Sequence, residues 1–202
     1  MSTYSSNLRI ELITTGTQAG TWGTTTNDNY QYVLEQAIAG SISVTTASAN
    51  EALTYLNGPT ATASANSSIR AVITLNTSTG ANFAVYAPPA SKLYVIKNSS
   101  AYTATIYNST VIGNTTAAGS GVAVPAGQTM TIWSDGANFY QQNTSFNNLH
   151  LTGTPTAPTA SPGTSTTQLA TTSFVATSFA PLASPTFTGT PAAPTAAPNT
   201  NT

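Results

Sequence analysis

The chain has 202 residues and a net charge of −1, and only 4% of its residues are Asp, Glu, Lys or Arg, where a typical soluble protein has about 25%. With so few basic residues there is no cationic stripe to neutralise phosphates, which argues against nucleic-acid binding. The absence of cysteine excludes disulfides and thiolate metal sites.

The first residues, MSTYSSNLRIEL, contain no basic segment followed by an apolar run, so we expect no secretory signal. No long apolar or polybasic segment suggests membrane insertion. Within this stretch Leu8, Ile10 and Leu12 alternate with Arg9 and Glu11, the pattern of a short half-buried strand.

A helix is predicted next. It follows a glycine-rich turn region at 14–23, which places Trp22 at the start of the helix. Thr26 or Asn27 can cap this helix, and Gly40 ends it. Its apolar positions recur at helical spacing, so this stripe should dock on the following sheet. The stripe consists of Tyr30, Val33, Leu34, Ala37 and Ile38.

Beyond Gly40 the apolar period changes to two, which is typical of strands. Nine short strands are predicted, separated by Gly, Asn, Ser and Pro clusters, at 42–44, 53–55, 72–75, 83–86, 93–96, 102–107, 122–124, 130–133 and 139–140. The natural fold class for this spacing is mainly β, an antiparallel β-sandwich or jelly-roll-like domain with one short N-terminal helix.

The clearest hairpin joins the last two predicted strands. Asp135 and Gly136 supply the tight two-residue turn, because glycine adopts the positive φ that such turns require. Alternation then places Ile132 and Ser134 on one face and Trp133 on the other. We therefore expect Trp133 to cover an edge or a contact between chains.

The last third of the chain contains an internal repeat. The segment LTGTPTAPTASPGTST at 151–166 returns as FTGTPAAPTAAPNTNT at 187–202, 36 residues later and identical at 11 of 16 positions. The prolines favour extended, polyproline-like backbone. Between the copies, Ser165 and Gln168 form a capping box for a helix of about 11 to 14 residues, which is too short to be stable alone.

Repeats of the type SPTFTGTPAAPTA and TTQLATTSFV resemble those in the shafts of tailed-bacteriophage tail fibres, over the whole of 151–202. This resemblance implies a parallel homotrimer with extended segments and short helices around a three-fold axis. The residues expected to pack there are Leu151, Leu169, Phe174, Val175, Phe179 and Phe187. Composition alone would equally suit a disordered Thr/Pro linker.

The middle of the chain, at 8–142, carries a looser resemblance. KLYVIKN, GSGVAVPAGQTMTIWSDGANFYQ and TWGTTTNDNYQYVLEQAIAG are similar to domains near the amino end of phage tail-fibre proteins. In that family the amino-terminal part joins the fibre to the tail or baseplate, and the distal end meets a host glycan or protein. The resemblance thus implies a virion protein made in the host cytoplasm, with tail docking through Leu8, Ile10, Leu12 and Trp22.

Three regions follow from this interpretation. Residues 1–40 form a docking strand and helix, 41–145 a β-sandwich, and 146–202 a linker and shaft repeats. The second copy stops where the next repeat segment should begin, so we expect the array and the receptor-binding part to continue beyond Thr202.

The sequence offers little for catalysis. Its five acidic residues, Glu11, Asp28, Glu35, Glu51 and Asp135, do not form a recognisable pair for glycoside hydrolysis. The single histidine, His150, has no second imidazole or thiolate to complete a metal site, and we expect it to be solvated or on the trimer axis. No enzyme activity, cofactor or metal is therefore expected.

Two other functional classes remain open. A bacterial surface adhesin or carbohydrate-binding module would need an export signal or anchor, and a polysaccharide-degrading tailspike would need an acidic cleft outside these residues. A sugar could stack on an exposed row of tyrosines, although such residues more often fill a core or an interface. The candidates are Tyr86, Tyr94, Tyr102, Tyr107 and Tyr140. Six Asn-x-Ser/Thr sites are attributed to chance in a chain rich in these residues: Asn66, Asn76, Asn98, Asn108, Asn114 and Asn143.

Overall fold

The computed structural model describes residues 3–143, 145, 152–167, 169–178 and 190. The chain divides into two compact units, Met1–Phe146 and Asn147–Thr202. The first unit is rich in β-structure, and the described residues of the second contain one short helix.

The chain begins with a two-stranded antiparallel ribbon of β1 (Thr3–Tyr4) and β2 (Glu11–Leu12). The strand predicted over 8–12 is therefore wrong except for its last two residues. Arg9 has a positive φ of 57° and donates its N–H to the Ser5 carbonyl at 3.1 Å. This turn breaks the extended backbone that the alternating pattern suggested.

The N-terminal helix starts earlier than predicted. A turn closed by the Trp22 N–H on the Gln18 carbonyl, at 3.0 Å, leads directly into it, so the predicted caps Thr26 and Asn27 lie inside the helix. The helix consists of α1 (Trp22–Asn29), a π-helical turn (Tyr30–Leu34) and α2 (Glu35–Ile38).

The predicted apolar stripe of this helix is only partly buried. Val33 is fully buried, but Tyr30 and Ile38 are 58% and 79% exposed. The side chain that anchors the helix is Asn29, whose amide accepts the Glu11 N–H at 3.0 Å and donates to the Glu11 carbonyl at 2.9 Å. A π-helical turn holds about one residue more than an α-helical turn. Counting the apolar residues at α-helical spacing therefore placed Tyr30 and Ile38 on the buried side of the helix, which is wrong.

In the described residues after Gly40 there are nine strands, in the predicted order, and the second is shifted from 53–55 to 50–52. A 3₁₀ helix, Ala63–Ile69, separates the second and third. The strands are β3 (Ser41–Thr46), β4 (Asn50–Ala52), β5 (Val72–Thr77), β6 (Phe83–Ala87), β7 (Ser91–Asn98), β8 (Ala104–Asn108), β9 (Val122–Val124), β10 (Thr129–Asp135) and β11 (Phe139–Gln141).

These strands form two mixed sheets, which corrects the predicted antiparallel, jelly-roll-like topology. One sheet has the order β11-β10-β7-β5-β3 and the other β4-β6-β8-β9. From β3 to β8 successive strands alternate between the two sheets. Each strand therefore lies beside the strand two places before it in the chain, and the two pair in parallel. The result is a three-turn coil of strand pairs, β3-β4, β5-β6 and β7-β8. Only the last three strands add in antiparallel fashion.

The core lies between the two sheets and is built from stacked apolar rows. Ile42 pairs with Ile73, and Ile73 with Ile96, in three successive turns of the coil. These residues meet Leu53, Leu75, Phe83, Val85, Ala87, Tyr94, Ala104, Ile106, Val124, Ile132 and Phe139 in one cluster. Like residues align because each turn of the coil repeats the same inward positions.

The side chains of two buried asparagines connect the two sheets by hydrogen bonds. Asn98, fully buried, donates to the carbonyls of Tyr102, Val124 and Pro125 at 2.7, 2.9 and 3.2 Å. Its oxygen accepts the N–H and hydroxyl of Ser100 at 3.1 and 2.7 Å. Every polar atom of this amide is therefore paired.

The second clamp is formed by Asn108, also fully buried, and Ser134. The Asn108 amide donates to the Ser134 hydroxyl oxygen at 2.7 Å, and that oxygen also accepts the Gly136 N–H at 2.9 Å. Asn98 and Asn108 each begin one of the six Asn-x-Ser/Thr motifs that were attributed to chance. Their burial gives them a structural role instead.

The glycine pair around Ser120 reflects close approach rather than turn geometry. A Cβ at Gly121 would lie 2.6 Å from the Tyr107 ring and 2.7 Å from the Ile106 carbonyl oxygen. At Gly119 it would lie 2.3 Å from the Asn138 side-chain oxygen. Gly121 therefore requires glycine, because the chain passes directly over β8, whereas a side chain at Gly119 would have to displace the Asn138 amide.

The second unit contains the helix α3 (Thr172–Ser178), seven residues long. The predicted capping box is wrong at Ser165, since the first-turn N–H of Phe174 is bound instead by the Thr171 hydroxyl at 3.1 Å. Its other member, Gln168, lies outside the described residues. The helix therefore starts at Thr172, later than the predicted capping box would place it.

Candidate interaction surface

An exposed aromatic pair stands on the outer face of the five-stranded sheet. Trp133 on β10 is opposite Tyr140 on β11 and opposite Leu93 on β7. The rings of Trp133 and Tyr140 stack with centroids 4.6 Å apart and planes 24° apart. The three side chains are 40%, 40% and 51% exposed, and we call them the sheet patch.

The alternation of β10 explains this patch. Ile132 and Ser134 point inward and are buried, as predicted, so Trp133 must point outward. The Ser134 hydroxyl, held by Asn108 and by the Ala90 carbonyl at 3.0 Å, fixes the strand beneath it. Hydrogen bonds to the other sheet therefore hold the strand that carries the sheet patch.

Asp135 organises the turn beside the sheet patch. Its carboxylate accepts the N–H groups of Ala137 and Asn138 at 2.8 and 2.7 Å and the Tyr140 hydroxyl at 3.1 Å. The turn residues are Gly136 and Ala137, one position later than predicted, because Asp135 pairs with Asn138 through an N–H to carbonyl bond of 3.2 Å. Gly136 has the expected positive φ, 101°.

These contacts change two pKa values. The backbone N–H groups of Asn138 and Ala137 lower the pKa of Asp135 to about 2, since they stabilise the ionised carboxylate. The hydrogen bond to that carboxylate raises the pKa of Tyr140. The folded pKa of Asp135 lies below its ordinary value, so the turn contacts are complete above about pH 4 and are lost as pH falls towards 2.

We expect the amide proton resonances of Ala137 and Asn138 to titrate together with a midpoint near pH 2. Two-dimensional NMR between pH 5 and pH 1.5 would measure this. In the Asp135→Asn variant, which removes the titrating group, both amides should lose that transition. A midpoint near pH 4 in the unaltered chain would show that the carboxylate does not hold the turn.

The N-terminal helix also exposes large apolar side chains. Trp22, Tyr30 and Ile38 are 62%, 58% and 79% exposed, and we call them the helix patch. Tyr30 and Ile38 are eight residues apart, which is about one π-helical turn plus one α-helical turn, so they lie on the same side of the helix. Trp22 stands at the start of the helix.

The other predicted docking residues surround the first ribbon. Leu8 and Ile10 are half-buried, and Leu12 is 48% exposed. They belong to the same compact unit as Trp22 but occupy different elements. The most exposed apolar side chain of the region, Ile38, had been predicted to dock on the sheet.

Of the predicted shaft residues, three fall in the described part of the chain. Leu169 is 75% exposed, Val175 is 47% exposed, and Phe174 is half-buried. Leu169 lines an open groove of about 540 Å³ together with Ala157 and Pro158. Leu151, Phe179 and Phe187, and also His150, lie outside the described residues.

Two cationic side chains of the first unit, Lys92 and Arg70, are largely buried. Burial lowers the pKa of Lys92 to about 7. Its amine donates to the carbonyls of Arg70 and Leu93 at 2.7 and 3.2 Å and lies 3.8 Å from the centre of the Tyr94 ring. The buried Arg70 guanidinium donates to the side chain of Gln36. These contacts satisfy the amine within the protein instead of presenting it to a substrate.

The tyrosines do not form one row. Tyr94 is in the core, and Tyr86 is nearly buried against Tyr107 with ring centroids 5.5 Å apart. Only Tyr102 and Tyr140 are more than a third exposed among the five candidates. Sequence alternation did identify Trp133 as outward-facing, but its stacking on Tyr140 depends on the hairpin register.

Among the described residues no cluster of three or more His, Asp or Glu side chains could hold a metal ion. None of the helices in that part of the chain has the length and apolar character needed to cross a bilayer. Comparison of the chain with protein-family models, with curated proteins and with solved structures gives no significant match.

Proposed function

We propose that this chain is a structural virion component, part of a homotrimeric tail fibre of a tailed bacteriophage. In this role it attaches to the tail and carries distal receptor-binding parts towards the host surface. The observation that carries the proposal is the 36-residue repeat of uncharged Thr/Pro-rich segments, whose sequence resembles fibre shafts.

The second unit supports a multi-chain shaft on physical grounds. A seven-residue helix is far shorter than the roughly 12–15 residues that an isolated helix needs in water. Leu169 and Val175 are exposed in the single chain, and burying each such side chain would contribute about 1.5–3 kcal/mol. Copies of the same segment offer matching apolar side chains and no charges that would have to be desolvated.

The proposed mechanism is mechanical and multivalent. Three chains would hold their distal ends in a fixed array, so that individually weak contacts with a host glycan or protein reinforce one another through effective concentration. The ribbon and helix at 1–40 would dock on a tail or baseplate protein. No catalysis, cofactor, nucleic acid or membrane insertion is part of this proposal.

Light scattering coupled to size exclusion on residues 1–202 tests the proposal. We expect three times the chain mass of 20.6 kDa, and an elongated profile in small-angle scattering. Replacing both Leu169 and Val175 by serine should shift the mass towards the single chain, whereas the same exchange at the exposed Val111 should not. A single-chain mass for the unaltered protein would contradict the trimer.

The sheet patch favours a second candidate, a carbohydrate-binding or adhesin module. Stacked, exposed aromatic rings beside a carboxylate can receive the apolar face of a sugar. Binding of oligosaccharides to residues 1–202, lost in Trp133→Ala and retained in Trp22→Phe, would favour that candidate over a purely structural role.

A further inference from the structure

The strand β3 is the last strand on one side of the five-stranded sheet. The terminal bonds of its ladder with β5 run from the Val72 N–H to the Gly40 carbonyl and from the Ser78 N–H to the Thr46 carbonyl. Even-numbered residues of β3 therefore bond to β5, because the hydrogen-bonding groups of a strand alternate between its two sides. The outward N–H and carbonyl groups, which we call the β3 edge, belong to Ser41, Ser43 and Thr45.

The β3 edge has no hydrogen-bond partner among the described residues. Beside it, Ile42 and Val44 are half-buried against the core. The residues paired with them on β5, Ile73 and Leu75, have a strand on each side and are fully buried. One further strand would therefore complete the ladder of β3 and bury its two apolar side chains.

The β3 edge lacks the usual protection of a strand that stays in water. Free edges normally carry charged residues, proline or a bulge, which prevent pairing with another strand. The sequence of β3, SISVTT, contains no charge and no proline. Its register with β5 is regular over all six residues, without a bulge. These features favour an edge that is paired in the working protein.

Copies of the same domain do not suit this edge in a three-fold assembly. Head-to-tail pairing needs a second free edge, but at the other end of the coil the β11 N–H of Phe139 is bound to the Ser120 carbonyl at 2.9 Å. Pairing of β3 with β3 is two-fold, so it would join two chains and leave the third edge open. It would also bring two copies of β4 together, with Glu51 on the inward face in register with the buried Val85.

The repeat segment of the second unit is also unsuitable as the added strand. Pro155 and Pro158 are three residues apart, so their backbone nitrogens lie on opposite sides of an extended chain. One of them would face the β3 edge without an N–H to donate. The missing strand is therefore best supplied by a different polypeptide.

We propose that the β3 edge binds an extended, proline-free segment of a partner protein as a sixth strand of the sheet. The segment would pair through its backbone and place apolar side chains at alternate positions, beside Ile42 and Val44. The exclusion of a second copy rests on the homotrimer of the proposed function. The edge directly follows residues 1–40, so strand addition would form part of the docking assigned to that region.

A peptide that copies residues 40–47, GSISVTTA, with two lysines appended for solubility, serves as the probe. In the coil Ile42 lies beside Ile73, and the isoleucine of this peptide can repeat that contact beside Ile42. We expect the fluorescently labelled peptide to bind residues 1–202 saturably in anisotropy measurements. The absence of saturable binding up to about 1 mM would overturn the proposal.

Backbone methylation of the peptide provides the matched control. Only one side of a strand faces the edge, so N-methylation of one alternate set of residues should weaken binding at least about tenfold. N-methylation of the other set should leave binding unchanged, because those nitrogens face away. Equal effects of the two sets would show that the peptide does not bind as a strand.

Ser43→Pro removes an outward N–H of β3 and no bond of the ladder with β5, so the domain should still fold. It should abolish peptide binding, whereas Ser43→Ala, which keeps the N–H, should bind as the unaltered protein does. Circular dichroism and urea unfolding check that both variants are folded. Undiminished binding by folded Ser43→Pro would place the peptide elsewhere and overturn the proposal.

Amide hydrogen exchange of the unaltered protein needs no variant. The N–H groups of the β3 edge should exchange at least about tenfold faster than those of Ile42 and Val44, which are bonded to β5. Saturating peptide should slow the exchange of the β3 edge to a similar rate. Exchange that is unchanged by bound peptide would contradict strand addition.

These measurements separate the inference from the function on which it rests. Slow exchange of the β3 edge without peptide, or a lower mass for Ser43→Pro than for the unaltered protein, would show that copies already pair through β3. Either result would overturn the inference, and a threefold mass of the unaltered protein would leave the fibre proposal standing. A single-chain mass together with peptide binding would remove the homotrimer and leave the strand-binding site.

Discussion

Replacement of Asn98 by alanine is expected to destabilise the β domain by roughly 3 kcal/mol or more, since each buried polar group left without a partner costs about 1–3 kcal/mol. The substitution removes the side-chain donor to the carbonyls of Val124 and Pro125, while the Tyr102 carbonyl keeps the Ser100 hydroxyl as a donor. The Ser100 N–H loses its acceptor as well. Urea unfolding followed by circular dichroism would measure the change.

The matched control is Asn76→Ala, on the outward face of β5. The same chemical change there should alter the free energy of unfolding by no more than about 0.5 kcal/mol. Equal effects at both positions would mean that the buried clamp contributes no more than an ordinary strand residue. Asn98→Asp should be at least as damaging as Asn98→Ala, because it removes the donors and buries a charge.

The free energy of unfolding is expected to rise by roughly 3 kcal/mol between pH 7 and pH 9.5 through Lys92 alone. Burial lowers the pKa of this amine from 10.5 to about 7 in the folded protein. Over this window the unfolded chain binds more protons than the folded one, so stability increases with pH. Below about pH 7 both states are protonated, and the cost of the buried charge is constant.

Few other groups titrate in this window, because the chain has no cysteine and one histidine. The measurement is chemical denaturation at several pH values. Lys92→Met should flatten the pH dependence, and Lys97→Met, which removes an exposed lysine of the same strand, should leave it unchanged. A flat profile in the unaltered protein would show that the Lys92 ammonium is as stable in the fold as in water.

The strands were largely predictable from the sequence, but their pairing was not. Period-two alternation located eight of the nine strands described after Gly40, since it depends only on which side chains face the core, and missed β4, which lies at Asn50–Ala52 instead of 53–55. The direction of pairing depends on which sheet each strand enters. A short connection such as the one between β5 and β6 could close a hairpin or cross to the other sheet, and local residues do not distinguish these outcomes.

Which apolar side chains are exposed was also predicted only in part. Trp133 was predicted to face outward because its neighbours on β10 alternate, and it does. Tyr30 and Ile38 were misassigned to the buried face because a π-helical turn cannot be read from apolar spacing. The buried role of Asn98 was missed because two of its five hydrogen bonds, to the carbonyls of Val124 and Pro125, reach residues distant in sequence.

The coil of strand pairs gives the first unit an adjustable length. Each turn repeats the same inward positions and contacts only the turns beside it, so an inserted turn would bury its apolar side chains without altering the others. One extra turn would move the two ends of the coil apart by about 4.8 Å, the spacing between neighbouring strands. A protein built this way can change its reach in fixed increments while both of its terminal elements stay the same.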